Sequence, residues 1–147
     1  MRRALTVARA AGRAGEVPIG AVAVDSQGRV VAAAGNTVEQ GRDSTLHAEM
    51  SVLRSAARAV GGWRLGGITL AVTLEPCPMC AGAMLLARID RCVYGAADPK
   101  KGADVSLYDV LSKPVGNHRL VVTGGVLAEE CGALLTDFFR GVRGAPA

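Results

Sequence analysis

One stretch of the chain decides the fold class: Ile68-Thr-Leu-Ala-Val-Thr-Leu-Glu-Pro-Cys-Pro-Met-Cys-Ala-Gly-Ala-Met-Leu-Leu-Ala87. Its first residues are mostly apolar and β-branched, which predicts a buried strand over Ile68–Thr73. Pro76 then introduces a helix over Cys77–Ala87, because proline is favoured where helices begin. A strand that leads directly into a helix is typical of α/β domains.

The same alternation continues on both sides of this stretch. The hydrophobic pattern predicts helices at residues 2–14, 47–60, near 107–111 and at 127–140, and further strands at 19–24, 29–34, 91–94 and 120–123. Residues 35–43 and 95–102 are expected to be loops. Arginines interrupt the apolar start of the chain, so we expect a first helix there and not a targeting peptide. The pattern as a whole predicts an α/β layered domain around a single sheet.

The composition predicts one globular domain over residues 1–147. The chain is 50% hydrophobic and 20% charged, which excludes a disordered or low-complexity protein. The longest apolar run, Met79–Ala87, is far below the roughly 20 residues that span a bilayer, so we expect no membrane segment. Four cysteines are too few for a secreted disulfide scaffold, which favours the reducing cytoplasm. The net charge of +4 permits a nucleic-acid partner without requiring one.

The residues suited to chemistry are concentrated in two segments, His47-Ala48-Glu49 and Cys77-Pro78-Met79-Cys80. Residues three apart share one face of a helix, so Cys77 and Cys80 can bind one metal ion together. Their position at a helix N-terminus favours the thiolate forms. His47, which opens the preceding helix, would be the third ligand. One imidazole and two thiolates predict zinc with a fourth position left open, as in catalytic sites.

Glu49 is the candidate catalytic residue. In a helix interior its side chain would point away from that of His47, two residues earlier, but in a first turn both can reach the surroundings of a metal ion at the helix end. A carboxylate beside the metal, rather than bound to it, can act as the base for a zinc-activated water. We therefore predict that Glu49 moves protons during the reaction.

Less specific interpretations remain open at this point. A Cys-x-x-Cys pair alone is also typical of a redox motif. A structural zinc site could recruit Cys92 or Cys131, which would make the chain a non-catalytic zinc-binding module, although we expect both to pack in the core. The zinc motif also fits deaminases that act on free nucleobases or nucleosides, such as guanine or cytosine.

H-x-E followed by P-C-x-x-C is the pattern of zinc nucleobase deaminases, and the chain resembles the bacterial tRNA-specific adenosine deaminases of the cytidine and deoxycytidylate deaminase superfamily. The resemblance extends from Met1 to Arg143. The matching stretches are Glu16–Val22, Asn36, His47–Glu49, Val72–Cys77, Met79–Met84, Asn117–Arg119 and Asp137–Arg140. The stretches that favour the tRNA enzymes over other members are Ser106-Leu107, Asp109-Val110-Leu111, Asn117-His118 and Asp137-Phe138-Phe139-Arg140.

This resemblance implies a three-layer α/β/α fold of the cytidine-deaminase type, in which helices flank a central mixed five-stranded sheet. The implied reaction is the hydrolytic deamination of the wobble adenosine in a tRNA anticodon loop to inosine, with a zinc-activated water and Glu49 as proton shuttle. The resemblance also implies one zinc ion per subunit, a homodimer that binds the anticodon stem-loop across its interface, and a cytoplasmic location.

Individual roles follow from the same resemblance. His47, Cys77 and Cys80 would bind the zinc. Asn36 would hydrogen-bond the purine, and the backbone N–H of Ala48 would help to orient it. The remaining contacts would be made to the RNA, by Asp98, Asn117, His118 and by Phe139 on the last helix with its neighbours Phe138, Arg140 and Arg143.

Two features of the loops modify this picture. Lys100 and its neighbour Lys101 would ordinarily be a solvated surface, and phosphate contact is the functional alternative. Ser44 and Leu46 occupy positions where the family usually has proline and alanine, and Asp104-Val105 replace small residues. These departures leave the zinc and Glu49 positions intact, and they affect the loops that are predicted to contact RNA.

Overall fold

The computed structural model describes residues 1–113 and 117–144. The elements follow in chain order: α1 (Arg2–Arg13), β1 (Gly20–Val24), β2 (Val30–Gly35), α2 (Val38–Gly41), α3 (Ala48–Val60), β3 (Thr69–Leu74), α4 (Pro78–Ala87), β4 (Arg91–Ala96), β5 (Val121–Thr123) and α5 (Ala128–Gly144). The strands and long helices lie where the sequence predicts them, within two residues at each end, except that α5 continues to Gly144. Of the domain predicted over residues 1–147, residues 114–116 and 145–147 lie outside the described residues.

The five strands form one mixed sheet in the order β2-β1-β3-β4-β5. β1 pairs antiparallel with β2 and with β3, whereas β3, β4 and β5 run parallel to one another. The start of β1 therefore lies at the same edge of the sheet as the ends of β2, β3 and β4, and we call this the carboxyl edge. The predicted α/β fold with a mixed five-stranded sheet is confirmed.

Helices cover both faces of the sheet. α3 and α4 contact each other and bury apolar residues such as Val52 and Met84 against strand residues that include Leu70. On the other face, α1 lies so close to β1 that a Cβ at Gly20 would collide with the backbone of Ala4 and Ala8. α5 contacts β4 and α1. The result is a three-layer α/β/α arrangement in which α3 and α4 both begin at the carboxyl edge.

The structure corrects two of the predictions. The segment near residues 107–111 is irregular and not the expected helix: the N–H groups of Leu107 and Tyr108 donate to the carbonyl of Gly102, and that of Leu111 donates to the carbonyl of Ala103. The predicted loop over residues 35–43 contains the short helix α2. None of the helices in the described part of the chain combines the length and the apolar composition needed to cross a lipid bilayer.

Candidate active site

Three side chains of metal-ligand type meet at the carboxyl edge. His47 is the N-cap of α3, Cys77 is the N-cap of α4, and Cys80 lies in the first turn of α4. The sulfur atoms of Cys77 and Cys80 lie 3.6 Å and 3.5 Å from Nδ1 of His47. The three ligand atoms all lie within 4.8 Å of one another. The fold thus brings together the residues that the sequence predicts as metal ligands.

The pKa values of the three side chains depend on one another through hydrogen bonds and charge. A hydrogen bond from Cys80 lowers the pKa of the Cys77 thiol to about 4, and His47 adds to this effect while burial opposes it. The same hydrogen bond, together with burial, raises the pKa of Cys80. The pKa of His47 is raised by its hydrogen bond with Cys77, against the opposing effects of burial and of the nearby charge on Lys101. These interactions favour the thiolate form of Cys77 beside the imidazole.

This donor set fits zinc. Two sulfur donors and one imidazole suit a borderline-soft dication, and three protein ligands leave a fourth tetrahedral position for a reacting molecule. The other two cysteines pack elsewhere: Cys92 is buried in the main core cluster, and Cys131 is buried in a second cluster with Leu5. Their burial agrees with the expectation that both serve core packing.

The carboxyl group of Glu49 is buried next to the ligand group. Glu49 lies in the first turn of α3 and is 4% exposed. Among the described residues, none donates a hydrogen bond to its Oε2. Burial raises the pKa of Glu49, while a hydrogen bond from its own backbone N–H, the charge on His47 and a hydrogen bond from Cys80 lower it. A buried acceptor without a protein partner is the arrangement expected where a reacting water or substrate atom must be contacted.

Asn36 and Ala48 also lie at the carboxyl edge, one after β2 and the other at the start of α3. Asn36 follows the last residue of β2 and is buried, and its Nδ2 donates to Oε2 of Glu16 at 3.2 Å. Because the amide nitrogen is engaged, the amide oxygen of Asn36 is the atom left to accept from a ligand. Ala48 is the buried first residue of α3, where a backbone N–H has no partner within the helix.

The loop between β4 and β5 lies beside the ligand group and carries Asp98 and Lys100. Oδ1 of Asp98 accepts the backbone N–H of Lys100 at 2.9 Å and that of Lys101 at 3.2 Å, which forms a turn and leaves both lysines exposed. Asp104, one of the departures from the family pattern, has a partner, since the Tyr94 hydroxyl donates to its Oδ2 at 2.9 Å. Asp98 shapes the turn from within it, and Lys100 presents its charge outward.

Asn117 and His118 lie away from the ligand group. Oδ1 of Asn117 accepts from Arg88 at 3.0 Å, and Nε2 of His118 lies 2.9 Å from the carbonyl of Ile89. Arg88 is the C-cap of α4, a helix about 15 Å long whose other end carries Cys77. The structure therefore places these two residues at the opposite edge of the sheet from the metal ligands.

Phe139 is exposed on α5, where its ring meets that of Phe138 edge to face at a centroid distance of 5.4 Å. Phe138 also lines a cavity of about 320 Å³ between α1 and α5, together with Pro18, which lies just before β1. Because β1 begins at the carboxyl edge, this part of α5 approaches the same edge as the metal ligands. Phe139 is thus on that side of the molecule but outside the ligand group.

Two buried carboxylates, Glu16 and Glu75, make contacts that the sequence does not predict. Glu16 accepts from the side chain of Asn36 and from the backbone N–H groups of Glu39 and Gln40. Glu75 accepts hydrogen bonds from backbone N–H groups of the loop that carries Asp98. Each partner is at least twenty residues away in the sequence, so no local spacing could have predicted these contacts.

Comparison with known proteins gives a family. Residues 1–96 match the family described as the cytidine and deoxycytidylate deaminase zinc-binding region. The matched range contains the three ligand-type residues and the buried carboxylate Glu49. The family description and the geometry of the ligand group therefore agree on a zinc-binding deaminase.

Individual relatives extend the similarity over nearly the whole chain. The tRNA-specific adenosine deaminase of Bacillus subtilis is 50% identical over 143 residues, which cover 97% of this chain and 88% of that one. A solved tRNA:A34 deaminase, which performs A-to-I editing at the wobble position of transfer RNA, has a TM-score of 0.87 and 48% identity, with 92% of this chain and 97% of that one covered. A guanine deaminase from Bacillus subtilis has a TM-score of 0.61 and 30% identity, and the similarity covers 99% of this chain and 92% of that one. The similarity is greater to the proteins that act on tRNA.

Proposed function

This chain belongs to the family of the cytidine and deoxycytidylate deaminase zinc-binding region, and on that premise we propose that it deaminates the wobble adenosine of a tRNA anticodon loop to inosine. One observation carries the chemistry: the buried Glu49 carboxylate, whose Oε2 accepts from none of the described residues, lies beside the His47, Cys77 and Cys80 group. The substrate follows from the similarity to tRNA-specific adenosine deaminases over 97% of this chain.

Three residues hold the metal and one moves protons. His47, Cys77 and Cys80 hold the zinc, and when bound the ion supplies the Lewis acidity that lowers the pKa of a water molecule towards neutrality. Glu49 accepts a proton from the attacking water at Oε2 and delivers it to N1 of the adenine. It then transfers the second proton of the water to the departing amine. Water and adenosine are thereby converted to inosine and ammonia.

Further residues position the base and the RNA. The Oδ1 of Asn36 accepts a hydrogen bond from the purine, and the free N–H of Ala48 at the start of α3 orients the same ring. The adenosine has to leave its stack to enter this site, because its exocyclic amine is otherwise out of reach. Asp98 and Lys100 contact the RNA backbone beside the pocket. Phe139 meets the RNA along the carboxyl edge.

The contacts of Asn117 and His118 belong to a more distant part of the RNA. Asn117 is exposed, and both residues lie at the edge of the sheet opposite to the metal ligands. A folded stem-loop extends well beyond a single flipped base, so a contact at that distance is compatible with a base in the pocket. Their proposed role is to support the RNA without entering the pocket.

The proposal extends to assembly and location. Residues 1–147 form one deaminase domain that binds one zinc ion. Two such chains form a homodimer that binds the anticodon stem-loop across its interface. The protein acts in the cytoplasm, where tRNA and reduced thiols are both present.

A free-nucleobase deaminase is the second candidate, because a guanine deaminase from Bacillus subtilis is 30% identical over 99% of this chain. The zinc motif and the proton shuttle would be the same in both cases. The difference lies in the substrate, so activity on guanine without activity on RNA would favour this candidate.

The experiment is a substrate panel run with one preparation of the protein. An anticodon stem-loop with adenosine at the wobble position is compared with the same stem-loop whose only loop adenosine lies elsewhere, and with free adenosine, cytidine and guanine. We expect inosine in the first substrate alone. Ammonia released from a free base, with no inosine in the RNA, would overturn the proposal in favour of the second candidate.

A further inference from the structure

Glu75 is a buried carboxylate that the proposed reaction does not use. It follows β3 and lies two residues before the zinc ligand Cys77, and it is 2% exposed. A charged side chain is rarely buried this fully unless hydrogen bonds compensate for the loss of water. Its contacts therefore indicate what the charge is for.

Within the described part of the chain, the Glu75 carboxylate accepts five hydrogen bonds, and all five come from one loop. Its Oε1 accepts the backbone N–H groups of Asp104 at 3.0 Å, Val105 at 3.1 Å and Ser106 at 3.1 Å. Its Oε2 accepts the N–H of Asp98 at 3.0 Å and the hydroxyl of Ser106. A carboxylate is an acceptor at both oxygens, so it can satisfy both sets of donors at once, which a neutral amide cannot.

The loop from Asp98 to Ser106 wraps closely around this carboxylate. A Cβ at Gly102 would collide with the carboxylate of Glu75, so the backbone approaches as near as glycine allows. The N–H of Ala103 donates to the carbonyl of Pro76 at 2.9 Å, which attaches the loop to the residue before Cys77. The loop is thereby fixed to the segment that positions the metal ligands.

We propose that Glu75 is a positioning residue that fixes the shape of the loop from Asp98 to Ser106, and that this shape determines how well an RNA loop is bound beside the metal site. The identity of the ligand rests on the proposed function, whereas the role of Glu75 in the loop does not. Because Glu75 precedes the first cysteine ligand, one short segment of chain aligns the reacting centre with the surface that receives the substrate.

The test separates loop shape from catalysis. In Glu75→Gln the side-chain amide must turn its NH₂ group towards N–H or O–H donors on one side, so the loop loses part of its support. Charge-assisted hydrogen bonds of this kind correspond to changes of about tenfold or more in an opening equilibrium. We expect the KM for the anticodon stem-loop to rise at least about tenfold, with kcat changed less than about threefold and the zinc content unchanged. Trypsin should cut after the exposed Lys100 and Lys101 at least about tenfold faster.

Two further variants and a control keep the test decisive if Glu75→Gln folds poorly. Ser106→Ala removes only the hydroxyl donor and should raise KM and trypsin cleavage by a smaller factor than Glu75→Gln does. Ser106→Thr keeps the hydroxyl group, so its KM and its trypsin cleavage should match those of the original protein. Glu129→Gln, which removes an exposed carboxylate in the first turn of α5, should behave as the original protein.

Two results would overturn the inference. One is an unchanged KM together with unchanged cleavage after Lys100 and Lys101 in both Glu75→Gln and Ser106→Ala. The other is an equal fall in kcat and zinc content in Ser106→Ala, which would assign the carboxylate to the metal site itself. If the unaltered protein fails to deaminate the stem-loop, the proposed function fails, and the trypsin measurement still decides the role of Glu75.

Discussion

At the scale of single residues, the buried carboxyl group of Glu49 destabilises the folded state. A buried polar group without a hydrogen-bond partner destabilises the folded state by about 1–3 kcal/mol. Glu49 is 4% exposed, and nothing in the described part of the chain donates to its Oε2. A role outside the packing of α3 would explain this, and the proposed transfer of protons at Oε2 is such a role.

Glu49→Gln should abolish deamination while the protein keeps its zinc. The amide has nearly the shape of the carboxylate but cannot accept and return a proton, so we expect kcat to fall by about 10²–10⁴-fold. Inosine formation and bound zinc are measured on the same sample. Glu129→Gln is the matched control, since Glu129 also lies in the first turn of a helix but is exposed. Loss of zinc together with activity would show that Glu49 is a ligand.

Substitution of single cysteines distinguishes a catalytic zinc site from a structural one. Cys80→Ser removes a ligand and should weaken zinc binding by more than about 100-fold, which exceeds the effect of losing an outer hydrogen bond to a ligand. Cys92→Ala should keep the metal, because Cys92 packs in the core, and should cost about 1 kcal/mol of stability. Zinc is quantified after dialysis. Release of zinc from Cys92→Ala would contradict the assignment and support the non-catalytic zinc module.

At the scale of elements, the sequence predicts the strands and the long helices well because hydrophobic periodicity is a local signal. The two errors both lie beside buried carboxylates. Near residues 107–111 the chain instead continues the loop that Glu75 holds through the N–H groups of residues 104–106, and the N–H groups of Leu107, Tyr108 and Leu111 donate to the carbonyls of Gly102 and Ala103 and not to the residues four positions back. The unexpected helix α2 begins where Glu16 accepts two backbone N–H groups. Such long-range contacts override local preference and cannot be read from spacing.

In the candidate site, as in the fold, the features that depend on local sequence could be predicted and those that depend on long-range contacts could not. The clustering of His47, Cys77 and Cys80 could be predicted, because a histidine and two cysteines at helix starts form a motif with few other uses. The separation of Asn117 and His118 from the metal ligands could not, because it depends on how the turn after α4 packs against the end of the loop before β5.

Gly20→Ala tests how α1 packs on the sheet. An added Cβ would collide with the backbone of Ala4 and Ala8, which cannot move aside as a flexible side chain would. We expect the free energy of unfolding to fall by about 1–3 kcal/mol in denaturant titrations. Gly62→Ala is the control, since it has open space around it and should change stability by less than about 0.5 kcal/mol. Equal stability of the two variants would contradict the close contact between α1 and β1.

At the scale of the whole molecule, we expect charge to govern the proposed encounter with RNA. The chain carries 17 basic and 13 acidic side chains, and Lys100 and Lys101 extend from the loop beside the metal ligands. Each phosphate that a basic side chain neutralises releases a counterion, so binding should weaken as salt rises. In the proposed reaction a single base enters the site while the rest of the RNA stays on the surface, so we expect salt to act on KM more than on kcat.

Lys100→Ala should reduce the salt dependence of KM. For single strands the slope of log binding constant against log salt is about −0.7 per phosphate contact, so losing one contact should make the slope less steep by about that amount. Arg58→Ala removes the same charge from the last turn of α3, about 16.5 Å along the helix from His47, and should leave the slope unchanged. The KM for the stem-loop is measured across a salt series. Equal slopes for both variants would remove Lys100 from the RNA contacts.

The most direct test of the central claim is to run the reaction on a wobble-adenosine stem-loop in water enriched in oxygen-18. Hydrolytic deamination at this site predicts inosine at the wobble position carrying one heavy oxygen, with every other adenosine unchanged. Mass spectrometry of the digested RNA reads both the position and the oxygen. The account would be contradicted if the wobble adenosine of the RNA stays unmodified after reaction with the zinc-loaded protein. Inosine that lacks the heavy oxygen would contradict it as well.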